Sequence, residues 1–207
     1  MRGIWIGLAL ALASGSAWAQ TPQQRDWCYS PTATDDQTVD GCTALIQSGR
    51  ETTAGQAAAY DNRSTAYTNK GLYDQAIADE TQALALNPND PANANYNRGL
   101  AYEHKGLYDQ AIADATRAIA FKPDYAAAYD ARAYAYLNKG LYDQAIADET
   151  QSLASNPNSA NAYQNRGIAY EKKGARDQAV ADYRASLRLD PNRTLAREGL
   201  ARLGATP

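Results

Sequence analysis

The ten residues Lys70–Asp79, with the sequence KGLYDQAIAD, decide the fold of this chain because they occur three times. The same string stands at Lys105–Asp114 and Lys139–Asp148, and a diverged fourth copy occupies Lys173–Asp182. Successive copies begin 35, 34 and 34 residues apart, which is the interval at which helix pairs stack into a solenoid. Because such arrays expose an extended concave surface, the sequence also predicts a protein that holds partners.

The residues around each copy predict antiparallel helix pairs. A glycine ends each first helix, where a left-handed conformation is often needed. Asp74 and its counterparts fall in the first turn of the second helix, where a negative charge is favoured, and a proline stops that helix. Residues 21–36 are predicted to be extended chain. The predicted helices are 37–48, 54–69, 74–86, 92–104, 109–121, 126–138, 143–155, 160–172, 177–189 and 194–203.

Columns of small and aromatic residues in these helices resemble the tetratricopeptide repeat. Gly99 followed by Tyr102 in a first helix, and Ala111 followed by Ala118 in a second helix, illustrate columns that recur in phase in each copy. The resemblance implies an all-α protein, a right-handed α-solenoid of four helix pairs with an N-terminal cap helix and a C-terminal capping helix. Its repeats would be 57–90, 92–125, 126–159 and 160–193, within a repeat region that begins at residue 52.

One column departs from the family pattern. The family places a large aromatic residue in the middle of the second helix, but Glu80, Ala115 and Glu149 occupy that position in the first three repeats. Only Tyr183, in the fourth repeat, conforms. The apolar core is therefore expected to be thinner in the first three repeats.

The N-terminus has the pattern of a secretory signal peptide. Arg2 precedes a short apolar run, and Ala17-Trp18-Ala19 has the small-x-small form of a cleavage site. We expect residues 1–19 to be removed after Ala19 and the product to be periplasmic or secreted. An uncleaved membrane anchor is the alternative, but about 20 apolar residues are needed to span a bilayer, and no later segment is apolar enough.

Two cysteines, Cys28 and Cys42, are the only ones in the chain. In an oxidising compartment an isolated pair is most simply one disulfide, and a loop of this length adds about 3 kcal/mol in the chain-entropy model. Two free thiols or a metal-binding pair remain as alternatives. Residues 20–51 are thus predicted to form a disulfide-linked N-terminal segment with a cap helix, and 194–207 a C-terminal cap helix and tail.

The charge balance limits the class of partner. The chain has 20 Lys and Arg against 23 Asp and Glu, whereas nucleic acids require a basic stripe on the protein. We therefore expect no nucleic acid and no anionic membrane surface as a partner.

Four arginines recur in the first helices, each 16 residues before an aspartate of the second helix. Pairing between the helices is the interpretation we favour, and a basic stripe that binds ligand is the alternative. The pairs are Arg63 with Asp79, Arg98 with Asp114, Arg132 with Asp148, and Arg166 with Asp182.

Three asparagines, Asn62, Asn97 and Asn165, directly precede three of these arginines. In tetratricopeptide arrays this column faces the concave groove, and a carboxamide offers a donor and an acceptor to a peptide main chain. A ligand-contacting ladder and an inherited surface both fit. Other candidate groove residues are Tyr96, His104, Tyr134, Asn138 and Lys172, with Asp61, Asn93, Leu100, Asp130, Asn161, Gln164 and Ile168 on the same predicted face.

The composition of this face predicts the kind of peptide that it binds. Relatives that clamp a C-terminal carboxylate place several lysines and an arginine there, and only Lys172 is present in this chain. An extended peptide of mixed polarity, or a loop of a folded partner, suits the surface better.

Catalytic and metal-binding patterns are missing from the sequence. His104 is the only histidine, with no nucleophile and carboxylate in a recognisable arrangement. Asp36–Gly41 begins like a calcium loop, but Gln47 replaces the closing glutamate. We therefore expect no catalytic residue, no metal and no cofactor, and a non-catalytic adaptor in the cell envelope. A self-associating structural component, a carbohydrate- or peptidoglycan-binding module and a remote enzyme are the alternatives.

Overall fold

The structure is a computed structural model that describes residues 22–86 and 90–206. The predicted signal peptide, residues 1–19, lies outside the described residues. Within them the chain forms eleven α-helices and no strand. The helices are α1 (Pro22–Tyr29), α2 (Asp35–Ser48), α3 (Thr53–Asn69), α4 (Tyr73–Ala85), α5 (Pro91–His104), α6 (Tyr108–Phe121), α7 (Ala126–Asn138), α8 (Tyr142–Ser155), α9 (Ala160–Lys172), α10 (Arg176–Leu189) and α11 (Thr194–Arg202).

Consecutive helices pack as hairpins, and the hairpins stack in chain order. Each odd-numbered helix also contacts the next odd-numbered helix, whereas in the described residues no even-numbered helix contacts another even-numbered one. The odd-numbered helices therefore lie closer together and line the inner, concave side of an α-solenoid. Every helix predicted from residue 37 onward is present, with each end within two residues of its predicted place.

The prediction of extended chain at 21–36 is wrong, because Pro22–Tyr29 is helix α1. Helix α1 lies very close to α2 at Gly41, where a Cβ would stand 2.5 Å from the Gln24 carbonyl oxygen. The sulfur atoms of Cys28 and Cys42 are 2.08 Å apart, which is disulfide distance, as predicted. The eight residues of α1 have no clear apolar stripe, so their sequence shows no helical periodicity. The helix is stabilised by its contacts with α2.

Helix α2 is therefore the second helix of a fifth hairpin, and not a lone cap helix as predicted. Arg63 of α3 donates to Thr43 of α2 at 2.8 Å, as Arg98 of α5 donates to Thr81 of α4 at 3.2 Å. Lys70 donates to Asp36 of α2, which stands seven residues before Thr43. The second helices of the first three repeats contain the same Asp and Thr at this spacing, so α1–α2 forms a truncated repeat at the start of the stack.

The recurring arginines form ion pairs between helices, which confirms the interpretation that we favoured. Each guanidinium makes two hydrogen bonds of 2.6–2.9 Å to the carboxylate on its own second helix. It also donates to a threonine hydroxyl on the preceding second helix at 2.8–3.2 Å. A single side chain thus joins three helices at each of the four junctions.

Tyr183 organises the C-terminal end of the stack. Its ring is fully buried in the cluster formed with Val180 and Leu200, and its hydroxyl donates to Glu171 at 2.5 Å. The ring fits only because two glycines face it: a Cβ at Gly199 would lie 2.3 Å from the ring, and one at Gly167 would lie 2.9 Å from it.

We expect the pairing of Arg132 with Asp148 to show a large coupling free energy in a double-mutant cycle. Their side chains are only 17% and 9% exposed, and removal of one partner leaves a buried charge, which costs about 3 kcal/mol or more. Urea unfolding of Arg132→Met, Asp148→Asn and the double variant measures the coupling. The exposed pair Lys139–Asp109 is the control and should couple by less than about 1 kcal/mol. Strict additivity at Arg132 and Asp148 would reject the structural role.

The same Gly→Ala substitution should have opposite effects at two positions. Gly199→Ala forces the methyl group into the Tyr183 ring, and overpacking of this kind costs about 1–3 kcal/mol. At Gly99 the nearest atom to a Cβ is 3.5 Å away, so Gly99→Ala should gain up to about 1 kcal/mol from helix propensity. Thermal unfolding of the two variants is the measurement, and equal shifts in Tm would contradict the packing at Tyr183.

Candidate functional site

The asparagine column connects neighbouring helices at two of its three positions. Asn62 donates to the Cys28 carbonyl oxygen at 3.1 Å, and Asn97 donates to Asp61 Oδ1 at 3.0 Å. Both amides are therefore engaged within the protein. Asn165 lies against Asp130 and Glu149 and lines a pocket on the concave side.

This pocket, of about 240 Å³, is formed only by first helices of three successive repeats. We call it the central pocket. Helix α5 contributes Tyr96, Leu100 and Glu103, α7 contributes Asp130 and Tyr134 together with two alanines, and α9 contributes Asn161, Gln164 and Asn165. Tyr134 is 40% exposed at this surface. Seven of the predicted groove residues are thus brought together: Tyr96, Leu100, Asp130, Tyr134, Asn161, Gln164 and Asn165.

The other predicted groove residues lie elsewhere on the surface. His104 is exposed at the end of α5, where its ring stacks on Tyr73 with centroids 4.9 Å apart. Asn138 is exposed and donates back to the Tyr134 carbonyl oxygen at 2.9 Å. Lys172 is exposed in the last turn of α9. None of the three lines the central pocket.

Beneath the concave surface lie two buried carboxyl pairs. Glu80 and Glu149 are completely buried, and none of their four carboxylate oxygens has a hydrogen-bond partner. Each glutamate lies against an aspartate of its own first helix, Glu80 against Asp61 and Glu149 against Asp130. A carboxyl pair can bond only when one member is protonated.

Side-chain size explains why these pairs occur in alternate repeats. The inner position, on the first helix, is Asp61 or Asp130 in these pairs, and it is Tyr96 in the second repeat and Gln164 in the fourth. The outer position, on the second helix, is Ala115 in the second repeat and Tyr183 in the fourth. The first and third repeats fill both positions with side chains of intermediate size. The thin apolar core predicted for these repeats is thus completed by buried acids.

Burial changes the ionisation of these groups. Desolvation, followed by the charge of Asp61, raises the pKa of Glu80 to about 10. Burial next to Asp130 likewise raises the pKa of Glu149 well above its ordinary value. Desolvation also raises the pKa of Glu103 to about 7, with a further contribution from the charge of Asp130.

The two pairs differ in what covers them. Asn97 satisfies Asp61, and the pocket beside that pair measures only about 130 Å³ and is lined largely by alanines. Asp130 lines the central pocket, and its Oδ1 is shielded from solvent and has no hydrogen-bond partner. The third-repeat pair is therefore the one whose aspartate lines the larger of the two pockets.

Sequence reasoning missed Glu103 and the pairing of Asp130 with Glu149. From the sequence, Glu80 and Glu149 are identified only as exceptions to the aromatic position of the second helix. The signal was the aspartate that stands 19 residues before each glutamate, at Asp61 and Asp130, and in neither of the other two repeats.

Other features of the described residues are less suggestive of a site. A depression of about 420 Å³ lies at the C-terminal end, lined by three arginines, Leu187 and Pro191. Residues 22–86 and 90–206 contain no group of three or more His, Cys, Asp or Glu side chains placed to hold a metal ion. No helix in these ranges is both long and apolar enough to span a membrane.

Family models assign the repeated region. One model described as tetratricopeptide repeat matches 92–125 and 160–193, and a second model with the same description matches 57–90 and 126–159. The chain belongs to the tetratricopeptide repeat family. The matched segments of this tetratricopeptide repeat protein include every helix from α4 to α10 and most of α3. The sequence matches none of the curated proteins with which it was compared.

Solved structures of similar fold include tetratricopeptide domains that carry peptides. The crystal structure of MamA is 26% identical, with a TM-score of 0.68 over 77% of this chain and 90% of that chain. The first such domain of Spaghetti (RPAP3), bound to the HSP90 peptide SRMEEVD, is 28% identical, with a TM-score of 0.54 over 55% of this chain and 90% of that chain. The second domain of human RPAP3, in complex with the HSP70 peptide SGPTIEEVD, is 29% identical, with a TM-score of 0.53 over 56% and 97%.

Glu80→Gln should become more stabilising relative to the wild type as the pH rises. The folded-state pKa, about 10, lies above the reference value of 4.5. The stabilisation from its proton is therefore complete below about pH 4.5 and is lost as the pH approaches about 10. Glutamine removes this loss, so the difference in unfolding free energy should grow between about pH 5 and pH 9, as measured by urea unfolding.

Glu171→Gln is the control of opposite sign. The hydrogen bond from Arg202 lowers the pKa of Glu171, so this variant should lose stability at neutral pH and recover as the pH falls through the lowered value. If the unfolding free energy of Glu80→Gln differs from that of the wild type by the same amount at every pH, Glu80 is not buried as a neutral acid.

Proposed function

We propose that this tetratricopeptide repeat protein is a non-catalytic scaffold that binds a protein or an extended peptide along its concave side. The central pocket carries the proposal, because it spans α5, α7 and α9 and combines exposed Tyr134 with the carboxylate of Asp130. A peptide that crosses three successive helices contacts the same column in each repeat. The peptide-bound RPAP3 domains support this use of the fold.

The charge of the pocket argues for a different class of peptide from those bound by RPAP3. Both of the HSP peptides end in the acidic sequence EEVD. In the central pocket the charged lining residues are Glu103 and Asp130, with Glu149 buried behind them. Like charges repel across a partly buried surface, so we do not expect this groove to accept an EEVD terminus.

The proposal places the scaffold in the cell envelope. The signal-peptide pattern of residues 1–19 supports export. The Cys28–Cys42 pair at disulfide distance also supports it, because disulfides persist in oxidising compartments.

Self-association is a second candidate, favoured by the distribution of charge. Acidic residues outnumber basic ones before residue 160, and basic residues outnumber acidic ones after it. Leu189 and Leu195 are 42% and 52% exposed near the basic C-terminal end. A second copy could place its acidic part against this end, and this arrangement would use the end of the stack and not the groove.

Photo-crosslinking in the native compartment tests the proposal. A photo-reactive residue at Tyr134 should capture one defined partner chain, whereas the same residue at Gln151, exposed on the outer helix α8, should not. Mass spectrometry identifies the captured chain. Capture from Gln151 but not from Tyr134 would remove the groove from the proposal, and capture of a second copy of this chain near Leu195 would favour self-association.

A further inference from the structure

We infer that the central pocket binds the cationic side chain of a lysine or arginine in the peptide held by the groove, an inference that rests on the proposed function. The ligand class follows from the carboxylates in and behind the wall of the pocket, from the lack of basic side chains in its lining, and from its aromatic walls.

The first observation is a carboxylate in the wall of the pocket. Asp130 is partly exposed and lines the pocket from helix α7. Its Oδ1 is shielded from solvent on the side of Glu149 and Asn165, so a ligand in the pocket meets the exposed part of the carboxylate. A carboxylate accepts hydrogen bonds, and ammonium and guanidinium groups carry several donors and no acceptor.

The second observation is the fully buried glutamate behind the pocket. Glu149 has no exposed surface and no hydrogen-bond partner for either oxygen. It lies against Asp130 and Asn165, two of the residues that line the pocket. One carboxyl group, that of Asp130, therefore lines the pocket, and a second, that of Glu149, lies buried behind it.

The third observation is the excess of acidic over basic groups at the pocket. Glu103 adds a further carboxyl to the wall on α5. Burial raises the pKa of Asp130 and the charge of Arg193 lowers it in part, but this guanidinium is itself engaged by Asn161 and by Asp190. Tyr96 also faces Asp130 and Glu103. Among the described residues that line the pocket there is no lysine or arginine, so a cationic ligand would meet a lining with two carboxyl groups and no basic side chain.

The shape of the pocket favours an organic cation over a bare ion. Its volume is about 240 Å³, whereas a water molecule takes about 30 Å³ in the liquid. Tyr96 and Tyr134 stand on two of its walls, and aromatic faces attract ammonium and guanidinium groups. A side chain that enters between the rings can place its charge on Asp130.

The first-repeat pair shows what a closed version of this arrangement looks like. Asp61 and Glu80 repeat the chemistry of Asp130 and Glu149, but Asn97 donates to Asp61 at 3.0 Å, and the space beside Asp61 is smaller, at about 130 Å³, with four alanines in its lining. The aspartate thus accepts a hydrogen bond from the next helix in one repeat and lines the larger pocket in another. Asp61 is therefore a matched control for Asp130.

Cation binding should be linked to proton release. Burial raises the pKa of Glu103 to about 7, and it also raises the pKa of Asp130 and of Glu149. A bound cation favours the ionised form of a carboxyl group. Affinity should therefore fall as the pH is lowered from about 8 to about 6, through the pKa of Glu103. The other ionisable groups facing the site are the phenols of Tyr96 and Tyr134 and the engaged guanidinium of Arg193.

A pair of capped pentapeptides tests the inference. One carries a single arginine among alanines, and the other carries citrulline, which keeps the shape but lacks the charge. Titration into the mature protein, followed by NMR amide shifts, gives both affinities. We expect the arginine peptide to bind at least about tenfold more tightly, the ratio that a charge-assisted hydrogen bond supplies.

Two variants locate the site. Asp130→Asn should lower the affinity for the arginine peptide by about tenfold, and Asp61→Asn should leave it unchanged. Glu103→Gln serves as a second pocket variant in case Asp130→Asn disturbs the fold, which circular dichroism detects. It should weaken arginine binding and flatten the pH dependence.

The outcomes separate this inference from the proposed function. Equal affinity for the two peptides would overturn the cationic pocket while leaving peptide binding in the groove intact. Arginine binding that is unaffected by Asp130→Asn and Glu103→Gln would also overturn it, as would no binding of either peptide. Failure of the proposed function would show instead as the loss of capture at Tyr134, whatever the pentapeptides do.

Discussion

The arginine at the centre of each hairpin is the constraint on which the rest of the structure depends. Arg132 binds Asp148 of its own hairpin with two hydrogen bonds and reaches Thr116 of the preceding hairpin. The planar guanidinium fits a carboxylate in one orientation, so a slip of either helix leaves a buried charge unpaired. Because this contact recurs at four junctions, it fixes both the register within each pair and the stacking between pairs.

Such polar ties matter more in this solenoid because its apolar side chains are small. Alanines make up most of the buried apolar residues, and Tyr183 is the only completely buried aromatic ring among the described residues. Where other repeats would place a ring, the first and third contain a buried glutamate facing an aspartate. Burial favours the protonated form of these glutamates. The packing of the first and third repeats therefore depends on the ionisation of the buried acids.

The aspartates of these pairs lie at the concave side, so the buried acids also affect the charge of the groove. In the first repeat Asn97 donates to Asp61. In the third repeat Asp130 lines the central pocket together with Tyr96 and Tyr134, and Glu149 lies buried against it. The surroundings of the two aspartates differ in sequence at the same position of the next repeat, which is Tyr96 after Asp61 and Gln164 after Asp130.

The sequence by itself determined the helices from residue 37 onward, their pairing, the Cys28–Cys42 contact and the arginine ladder. These follow from local periodicity and from columns that recur at a fixed interval. Only the tertiary structure decided that Pro22–Tyr29 is a helix, that Asn62 and Asn97 are engaged within the protein, and that Asp130 opens into a pocket. The reason is physical: each of these outcomes depends on which atoms of a neighbouring hairpin lie within a few ångströms, and no local pattern of residues encodes that distance.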